Sequence, residues 1–392
     1  MNYKLNTPKV QEYVKANLKS NIASLILKGS PFKDIDVQEL AQQIEGKKKA
    51  EKKLPLWFKT DAIFYPKKIN LEQTSSEATA LYKSELINGD SLIDLTGGFG
   101  IDCTYFSKKI KQVYHCEMNE ILSEIVAYNC KVFGITNIKT LIGDSLESIK
   151  KLNLNFDWIY IDPSRRSDSK GKVFLLDECI PNVPTNLEFL FHYSNHILIK
   201  NSPILDITST INELKFVKEI HVVAVANEVK ELLFLLEKQY TGPIKIKTIN
   251  ILKNSKQYFN FNYGSTTLAS YSFPKSYLYE PNAAIMKSGG FQEVSSQFDL
   301  KKLHQHTHLY TSNIFFKNFP GRSFKIDHIL KYDKKKLFEI LPDKKANITT
   351  RNFPETVAQI RKKTKIKEGG IHYLFFTTDF ENRKIVLVCS KL

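Results

Sequence analysis

Four acidic side chains, Asp94, Glu117, Asp144 and Asp162, each follow a short apolar run that is typical of a β-strand. Helical patterns separate these runs, so the strands are expected to be parallel, and the carboxyl ends of parallel strands open on one crevice. Carboxylates placed there can accept hydrogen bonds from ribose hydroxyl groups or from an adenine amino group. Any one of these acids could be a helix N-cap or a turn residue, but four in register predict a nucleotide-type site.

A glycine-rich turn, Thr96-Gly97-Gly98-Phe99-Gly100, follows the first apolar run. Glycines accept positive φ angles and let a ligand approach the backbone where a Cβ atom would block it. The dinucleotide fingerprint G-x-G-x-x-G fits incompletely, because Cys103 stands where the third glycine belongs. The alternative pattern is an acidic residue followed at once by a compact glycine turn, as in Asp94 to Gly100. This segment resembles the first motif of class I S-adenosylmethionine (SAM) methyltransferases.

The predicted elements follow the order of a doubly wound fold. They are a helix over 119–133, strands over 138–142, 156–161 and 195–200, and a pair of strands within 216–237. A closing antiparallel pair is what a seven-stranded methyltransferase sheet uses, and it argues against a dinucleotide fold, whose sixth strand stays parallel. We therefore predict an α/β fold with a Rossmann-like, seven-stranded core of the class I methyltransferase type.

Taken together, six segments resemble one family, the bacterial class I SAM-dependent methyltransferases that carry a THUMP-like C-terminal domain. The segments are LIDLTGGFGID (92–102), EQTSSEATA (72–80), IDPSRR (161–166), IKNSPILDI (199–207), YEPNAAIMKSGGF (279–291) and ITTRNFP (348–354). The resemblance implies an N-terminal helical segment (1–68), a methyltransferase core (69–264), a small ferredoxin-like segment (265–323) and a THUMP-like domain (324–392). THUMP domains occur in RNA-modifying enzymes, so the resemblance also favours RNA modification.

The resemblance implies SAM as the cofactor and assigns residues to it. Asp94, Thr96, Gly97, Gly98 and Gly100 are expected to hold the methionine portion, Glu117 the ribose and Asp144 the adenine. Met118 and Ser145, which follow these two acids, are counted with the cofactor site.

The segment Asp162-Pro163-Ser164-Arg165-Arg166 is the expected catalytic loop. In related enzymes that methylate amino groups of bases, an Asp or Asn followed by Pro-Pro and an aromatic residue orients the target amine. Here Ser164 replaces the second proline and Arg165 the aromatic residue. An arginine can stack on a base or bind phosphate, so RNA remains feasible, although an exocyclic amine target is put in doubt. The alternative is that Arg165 and Arg166 only close a surface loop.

Basic residues are concentrated at the two ends of the chain. Residues 1–60 hold 12 basic and 6 acidic side chains and residues 321–392 hold 17 and 8, whereas the remaining residues hold 28 and 27. This distribution favours flanks that bind a polyanion around a core that does chemistry, although lysine runs are also common on solvated faces. The residues expected to contact an RNA substrate are Lys200, Arg351, Arg361, Lys362 and Lys363. Lys200 could instead only cap the edge of the sheet.

The sequence also indicates what the protein does not resemble. No apolar run is long enough to cross a bilayer, and the N-terminus lacks the apolar core of a secretory signal. Five cysteines without a C-x-x-C pair fit the reducing cytoplasm. His304, His306 and His308 alternate as on one face of a strand, but no Cys or carboxylate accompanies them at ligand spacing, so no metal site is predicted.

The sequence therefore predicts a cytoplasmic SAM-dependent methyltransferase that acts on structured RNA, such as tRNA or rRNA. Two alternatives stay open. One is a methyltransferase of a protein or a small molecule, for which the basic flanks would be incidental. The other is an RNA-binding protein whose methyltransferase core is inactive. The sequence does not distinguish among target bases, and it leaves the oligomeric state open.

Overall fold

The computed structural model describes residues 1–165 and 175–392. Helices come first in the chain: α1 (Pro8–Ala16), α2 (Ile22–Lys28), α3 (Val37–Lys53), α4 (Pro55–Lys59), α5 (Lys68–Gln73) and α6 (Glu77–Glu85). The longest, α3, begins after Asp36, whose carboxylate accepts a hydrogen bond from the amide of Gln38 (2.6 Å) and so satisfies a free N–H group at the helix start. The predicted helical character of the N-terminal segment is confirmed.

From Ser91 the chain alternates between strands and helices. The elements are β1 (Ser91–Asp94), α7 (Ile101–Phe106), β2 (Gln112–Glu117), α8 (Glu120–Val132), β3 (Ile138–Ile142), α9 (Ser145–Leu152), β4 (Trp158–Ile161), β5 (Ser164–Arg165), β6 (Cys179–Ile180), α10 (Val183–Tyr193), β7 (His196–Asn201), α11 (Ile207–Glu213), β8 (Val217–Val225) and β9 (Glu228–Glu237). The predicted elements of this region are present. One strand is shorter than predicted, because β4 begins at Trp158 and Phe156 forms only an isolated bridge to Ser194.

The rest of the chain is richer in strands. It contains β10 (Lys245–Ile251), β11 (Lys256–Asn262), β12 (Tyr277–Pro281), α12 (Ala283–Ser288), α13 (Phe291–Gln297), β13 (Lys301–Lys302), β14 (Tyr310–Ser312), β15 (Gly321–Lys331), α14 (Lys334–Ile340), β16 (Asn347–Arg351), α15 (Val357–Thr364), β17 (His372–Thr378) and β18 (Lys384–Lys391). Two units result: the first comprises 1–220 and 230–242, and the second 221–229 and 243–392. The domain boundaries at 68, 264 and 323 stay predictions.

The sheet of the first unit has the strand order β8-β9-β7-β4-β1-β2-β3, in which the initial residues of β8 take part. Strands β7, β4, β1, β2 and β3 are parallel, and β9 runs antiparallel to β7. The chain reverses its direction of travel across the sheet at β1, between β2 and β4. Ligands of doubly wound sheets bind at such a switch point, outside the carboxyl ends of the strands. The predicted fold class, including the closing antiparallel pair, is confirmed.

The second unit contains a seven-stranded sheet of its own, with the order β13-β14-β12-β15-β18-β17-β16. Its strands pair antiparallel except β16 and β17, which pair parallel. Apolar side chains of β12, β15, β17 and β18 form part of its core, among them Leu278, Phe324, Phe375 and Leu387. The helix α15 begins with a capping box between Thr356 and Gln359.

Among the helices of residues 1–165 and 175–392, none is both long enough and apolar enough to span a membrane.

Candidate cofactor and acceptor site

A cavity of about 1140 Å³ opens at the carboxyl ends of the parallel strands of the first unit. Ligand pockets typically have volumes of about 300–1,000 Å³, so this one has room for a cofactor and part of a second molecule. The predicted site residues that line it are Asp94, Thr96, Gly97, Gly98, Glu117, Met118, Asp144, Ser145, Asp162, Pro163 and Lys200. The structure therefore brings together the four strand-end acids that the sequence pattern placed in one crevice.

The glycine turn between β1 and α7 packs closely against neighbouring side chains and needs positive φ angles. A Cβ atom at Gly97 would overlap the imidazole ring of His115. Gly98 has a φ of +55° and Gly100 a φ of +71°, both in the left-handed region that favours glycine. Gly100 does not line the cavity, because it is the N-cap of α7 and lies against Val126. Gly100 therefore shapes the turn, and its contact with the cofactor stays a prediction.

Asp94 ends β1 with only 1% of its surface exposed. Its Oδ1 accepts hydrogen bonds from the amide (2.9 Å) and the hydroxyl (3.2 Å) of Thr96, and its Oδ2 accepts one from the Cys103 thiol (3.2 Å). Burial raises the pKa of Asp94 to about 7, although the bonds from Thr96 and Cys103 act in the opposite direction. Near neutral pH this carboxyl group is therefore only partly ionised.

Glu117 ends β2 and holds the glycine turn in place. Its Oε2 accepts a hydrogen bond from the amide of Gly98 (2.9 Å), and its Oε1 accepts one from the amide of Asn119 (2.8 Å). A carboxylate has about four acceptor positions, so Glu117 keeps the capacity to accept from two hydroxyl groups. Met118, beside it, is 69% exposed at the cavity wall.

Asp144 follows β3 and is the N-cap of α9, where it accepts a hydrogen bond from the amide of Glu147 (2.9 Å). Ser145 is the first residue of that helix. Because Asp144 also lines the cavity, capping and ligand contact are compatible at this position. The helix cap fixes the carboxylate at the strand end, where an adenine amino group could donate to its remaining acceptor positions.

Asp162 and Lys200 end the adjacent strands β4 and β7 and form an ion pair in the cavity wall. The hydroxyl of Thr96 accepts a hydrogen bond from the amide of Asp162 (2.7 Å), which ties the acceptor side of the cavity to the glycine turn. Burial on its own lowers the pKa of Lys200, but Asp162, Glu231 and Asp102 together raise it above its ordinary value. Lys200 therefore stays protonated and cannot act as a base near neutral pH.

The other residues of the expected catalytic loop do not all lie at the cavity. Pro163 and Ser164 line the cavity. The backbone of Arg165 lies in β5, where it pairs with Cys179 of β6. Arg166 lies outside the described residues. The roles predicted for both arginines stay predictions.

A cluster of buried charges beside the cavity was missed by the sequence analysis. Lys83 of α6 is fully buried, and its ammonium lies 2.8 Å from Oε2 of Glu231 and 3.2 Å from Oδ1 of Asp102. Ser75 and Tyr160 both donate hydrogen bonds to Oδ2 of Asp102 (2.8 Å each). Asp102, Ser75 and Tyr160 line the cavity. Glu231 directly precedes the apolar residues 232–236 of β9, and this position was the available signal.

Asn201 is a second residue that sequence reasoning missed. It follows Lys200 at the end of β7, is only 3% exposed and lines the cavity. Its amide nitrogen has no hydrogen-bond partner among the described residues. A buried donor without a partner costs free energy, so this nitrogen is suited to an acceptor atom of a ligand.

The two arginines of the second unit that were predicted to bind substrate contact residues of the same unit. Arg351 and Arg322 both pair with the buried carboxylate of Glu280 (Arg351 at 2.9 Å), so one negative charge is shared by two guanidinium groups. Arg361 donates hydrogen bonds to the carbonyls of Ile366 (3.1 Å) and Ala346 (3.3 Å). Both arginines therefore have partners within the unit, and substrate binding by either one stays a prediction.

The two lysines that follow Arg361 differ from each other. Lys363 pairs with Glu355 (3.0 Å), whereas Lys362 is exposed and forms no ion pair within the described ranges. Only Lys362 therefore presents an uncompensated charge, and substrate binding by either lysine stays a prediction.

The three alternating histidines lie in a turn and not in a strand. His304 is buried beside Asn352 and Asn382, His306 is exposed, and His308 stacks on Phe291 with ring centroids 3.6 Å apart. Tertiary packing, rather than a shared strand face, sets their positions. Over residues 1–165 and 175–392, no group of three or more His, Cys, Asp or Glu residues is arranged to hold a metal ion.

Comparison with known proteins places this architecture in a family. Residues 277–320 match the sequence model of a ferredoxin-like domain, and residues 321–391 match that of a THUMP domain-like family. A crystal structure from Porphyromonas gingivalis W83, described as that of a candidate methyltransferase, is 31% identical to this chain. It aligns with 98% of this chain and 97% of its own, with a TM-score of 0.87. This chain belongs to that family.

Family membership confirms the resemblance inferred from the motifs, and with it the methyltransferase fold and the ferredoxin-like and THUMP-like C-terminal parts. Two other solved structures are much less similar. TrmK from M. capricolum, in complex with S-adenosylhomocysteine, is 19% identical over 45% of this chain and 70% of its own, with a TM-score of 0.30. An rRNA methylase from Streptococcus thermophilus is 14% identical over 42% and 95%, with a TM-score of 0.30. Structures with TM-scores this low do not indicate the function of this chain. No curated protein matches the chain.

Proposed function

We propose that this protein is a SAM-dependent methyltransferase that acts on structured RNA, such as tRNA or rRNA. The observation that carries the proposal is the single cavity at the strand ends, in which the glycine turn, Asp94, Glu117, Asp144 and Asp162 meet. The five cysteines are all buried and form no disulfide among the described residues, which fits a reducing compartment such as the cytoplasm.

The residues present fit SAM. Gly98 lines the cavity, and no side-chain atom of the protein lies near the position that its Cβ atom would take. On this basis Asp94, Thr96, Gly97 and Gly98 would lie along the methionine portion, Glu117 would accept from the ribose hydroxyls, and Asp144 would accept from the adenine amino group. When bound, SAM supplies a methyl group on a sulfonium that is itself a strong electrophile.

The protein's own contribution is alignment of the acceptor. Asp162 is held from two sides, by Lys200 through its carboxylate and by Thr96 through its amide. A carboxylate held in this way can accept a hydrogen bond from the acceptor while Pro163 shapes the wall beside it. Asn201 can donate from its unpaired amide to an acceptor atom of the same molecule. Since Lys200 stays protonated, it orients Asp162 and does not remove a proton.

Electrostatics of the second unit supports RNA as the substrate. Residues 221–229 and 243–392 hold 26 basic and 12 acidic side chains, whereas the first unit holds 31 and 29. Exposed lysines gather around Phe338 of α14, where the ammonium groups of Lys334 and Lys344 lie 5.6 and 4.9 Å from the ring centroid. The backbones of Lys345 and Lys367 form a bridge next to Lys344.

We call Lys334, Lys344, Lys345 and Lys367 the lysine patch. None of the four forms an ion pair with any residue that the structure describes. Uncompensated ammonium groups release counterions from a phosphate backbone, which gives sequence-independent affinity for nucleic acid. The THUMP-like match of residues 321–391, which contain the patch, points the same way.

The test is transfer of labelled methyl from SAM to total RNA from a strain that lacks the gene, beside protein and small-molecule fractions from the same cells. We expect label in an RNA band with the wild-type protein and at least about 100-fold less with Asp162→Ala, because misplacing the acceptor by about 1 Å costs that much. Binding of SAM by the variant, which should persist, is the control.

The other outcomes would favour other functions. Label only in protein or small molecules would show that the substrate is not RNA. No label in any fraction, despite measurable SAM binding, would favour an RNA-binding protein with an inactive core.

A further inference from the structure

The buried charges beside the cavity have no part in the mechanism above. Lys83 is the one ammonium in contact with two buried carboxylates, Asp102 and Glu231. The nearby Lys200 is paired with Asp162. Lys83 is therefore shared by two carboxylates, and burial raises the pKa of one of them, Glu231. Buried charges are stable only when they are compensated, so the cluster is suited to receive a cation.

Asp102 is the member of the cluster that reaches the cavity. Its Oδ2 accepts the hydrogen bonds from Ser75 and Tyr160, whereas its Oδ1 accepts none from any described residue and lies 3.2 Å from the Lys83 ammonium. The residue is 8% exposed. A buried carboxylate oxygen that lacks a hydrogen bond is costly, and a donor on a ligand would satisfy it.

The ionisation of Asp102 differs from that of Asp94. Burial alone would raise the pKa of Asp102, but the charges of Lys83 and Lys200 and the bonds from Tyr160 and Ser75 lower it below its ordinary value. Asp94 has both oxygens bonded and a pKa of about 7. Of the two buried carboxylates, Asp102 is therefore the permanent anion with a free acceptor position.

The order of the strands shows which part of a cofactor would meet Asp102. Across β3, β2 and β1, the proposed contacts run from adenine (Asp144) through ribose (Glu117) to the glycine turn. The next strand is β4, whose Tyr160 holds Asp102. Asp102 therefore lies where the amino-acid tail of SAM would end, next to the acceptor side of the cavity.

We propose that Asp102 binds the α-ammonium group of the methionine portion of SAM, an inference that rests on the proposed cofactor. Ser75, Tyr160 and Lys83 are positioning residues, because they contact the carboxylate of Asp102 and fix its position. The added ammonium supplies a second cation beside the two carboxylates that share Lys83.

The test measures binding by calorimetry to the full chain. The two probes are S-adenosylhomocysteine and its deaminated analogue, in which 4-thiobutyrate replaces homocysteine. Hydrogen bonds to charged groups contribute about 1.5–3 kcal/mol, so we expect S-adenosylhomocysteine to bind wild-type protein about 10–100-fold more tightly than the analogue. Asp102→Asn should remove most of this preference and leave the affinity for the analogue unchanged within about twofold. Glu117→Gln, the matched control, should weaken both ligands by the same factor.

Each outcome decides the inference. Equal affinity of the two ligands for wild-type protein, or an unchanged preference in Asp102→Asn, would overturn it. If Asp102→Asn does not fold, the wild-type preference and Ser75→Ala, which should reduce that preference, decide instead. If neither ligand binds wild-type protein, the proposed cofactor is wrong and the inference fails with it. Binding of S-adenosylhomocysteine without the preference would leave the proposed function intact and refute only the role of Asp102.

Discussion

The two units of the chain use charge in opposite ways. In the first unit, Lys83, Asp102 and Glu231 are buried and Lys83 contacts both carboxylates, so these charges hold the side chains in fixed positions. In the second unit, the lysine patch is exposed and has no ion-pair partner among the described residues. Buried pairs are screened little by salt, whereas exposed charges act over about 8 Å at physiological ionic strength. The difference indicates a precise site for chemistry in one unit and an attractive surface in the other.

The largest effect is expected when the buried cluster is broken. Lys83→Met would leave Asp102 and Glu231 buried without their shared cation, and uncompensated buried charge costs about 3–5 kcal/mol. We expect the free energy of unfolding to fall by this amount in denaturant titrations. A loss below about 1 kcal/mol would mean that the cluster is not buried as described. Lys48→Met, at an exposed position of α3, is the control.

A second expectation concerns pH and Asp94. Its pKa is raised to about 7 in the folded state from an ordinary value of 3.8. The folded protein therefore binds more protons than the unfolded chain between these values, so the free energy of unfolding falls as pH rises from about 4 to 7. Asp94→Asn removes this pH dependence. The free energy of unfolding of the variant, measured relative to wild type, should therefore rise by about 2–3 kcal/mol between pH 5 and pH 8. A difference that does not change with pH would contradict the burial of an ionisable Asp94.

The exposed charges of the lysine patch should make RNA binding depend on the salt concentration. Replacing the four residues of the lysine patch with Glu should weaken RNA binding and reduce the slope of log affinity against log salt by about 3, since each phosphate contact contributes about 0.7 to 0.9. The matched control changes four exposed lysines of the first unit, Lys9, Lys19, Lys28 and Lys33, to Glu, with the same change in net charge. An equal loss in both variants would mean that net charge alone, and not the patch, attracts RNA.

The smallest effect is expected for an exposed ion pair of the first unit. Lys111 and Asp90 lie 2.9 Å apart, but both are mostly exposed. Pairs of this kind contribute about 0–1 kcal/mol. Lys111→Ala should therefore change the melting temperature by no more than about 2 °C. A larger shift would show that the contrast between buried and exposed charges is less sharp than we describe.

Most of the cavity wall at the ends of β1 to β3 could be predicted because it depends on local patterns. Each acid at a strand end is found from an apolar run and the residue that follows it, and the parallel sheet then brings Asp94, Glu117 and Asp144 together. Gly100 shows the limit of this reasoning. A glycine pattern identifies a turn, but only the fold shows which glycine faces a ligand and which packs on Val126.

The rest depends on partners that are distant in the sequence. Lys83 and Glu231 are 148 residues apart, and no local pattern of either one indicates the other. Arg351 looked free in the sequence, but its partner Glu280 lies 71 residues away. The number of basic side chains in a segment does not show which of them pair with a carboxylate. This explains why the basic character of the C-terminal part was predicted from the sequence whereas its exposed lysines were identified only from the structure.

The most direct test of separate cofactor and RNA sites measures the affinities for S-adenosylhomocysteine and for RNA in two variants, under one buffer condition. We expect the lysine-patch variant to lose at least about tenfold in RNA affinity and to bind S-adenosylhomocysteine like wild type. Glu117→Gln should show the reverse, with weaker S-adenosylhomocysteine binding and unchanged RNA affinity. Loss of both affinities in either variant, with the fold intact by circular dichroism, would contradict the separation of cofactor binding from RNA attraction.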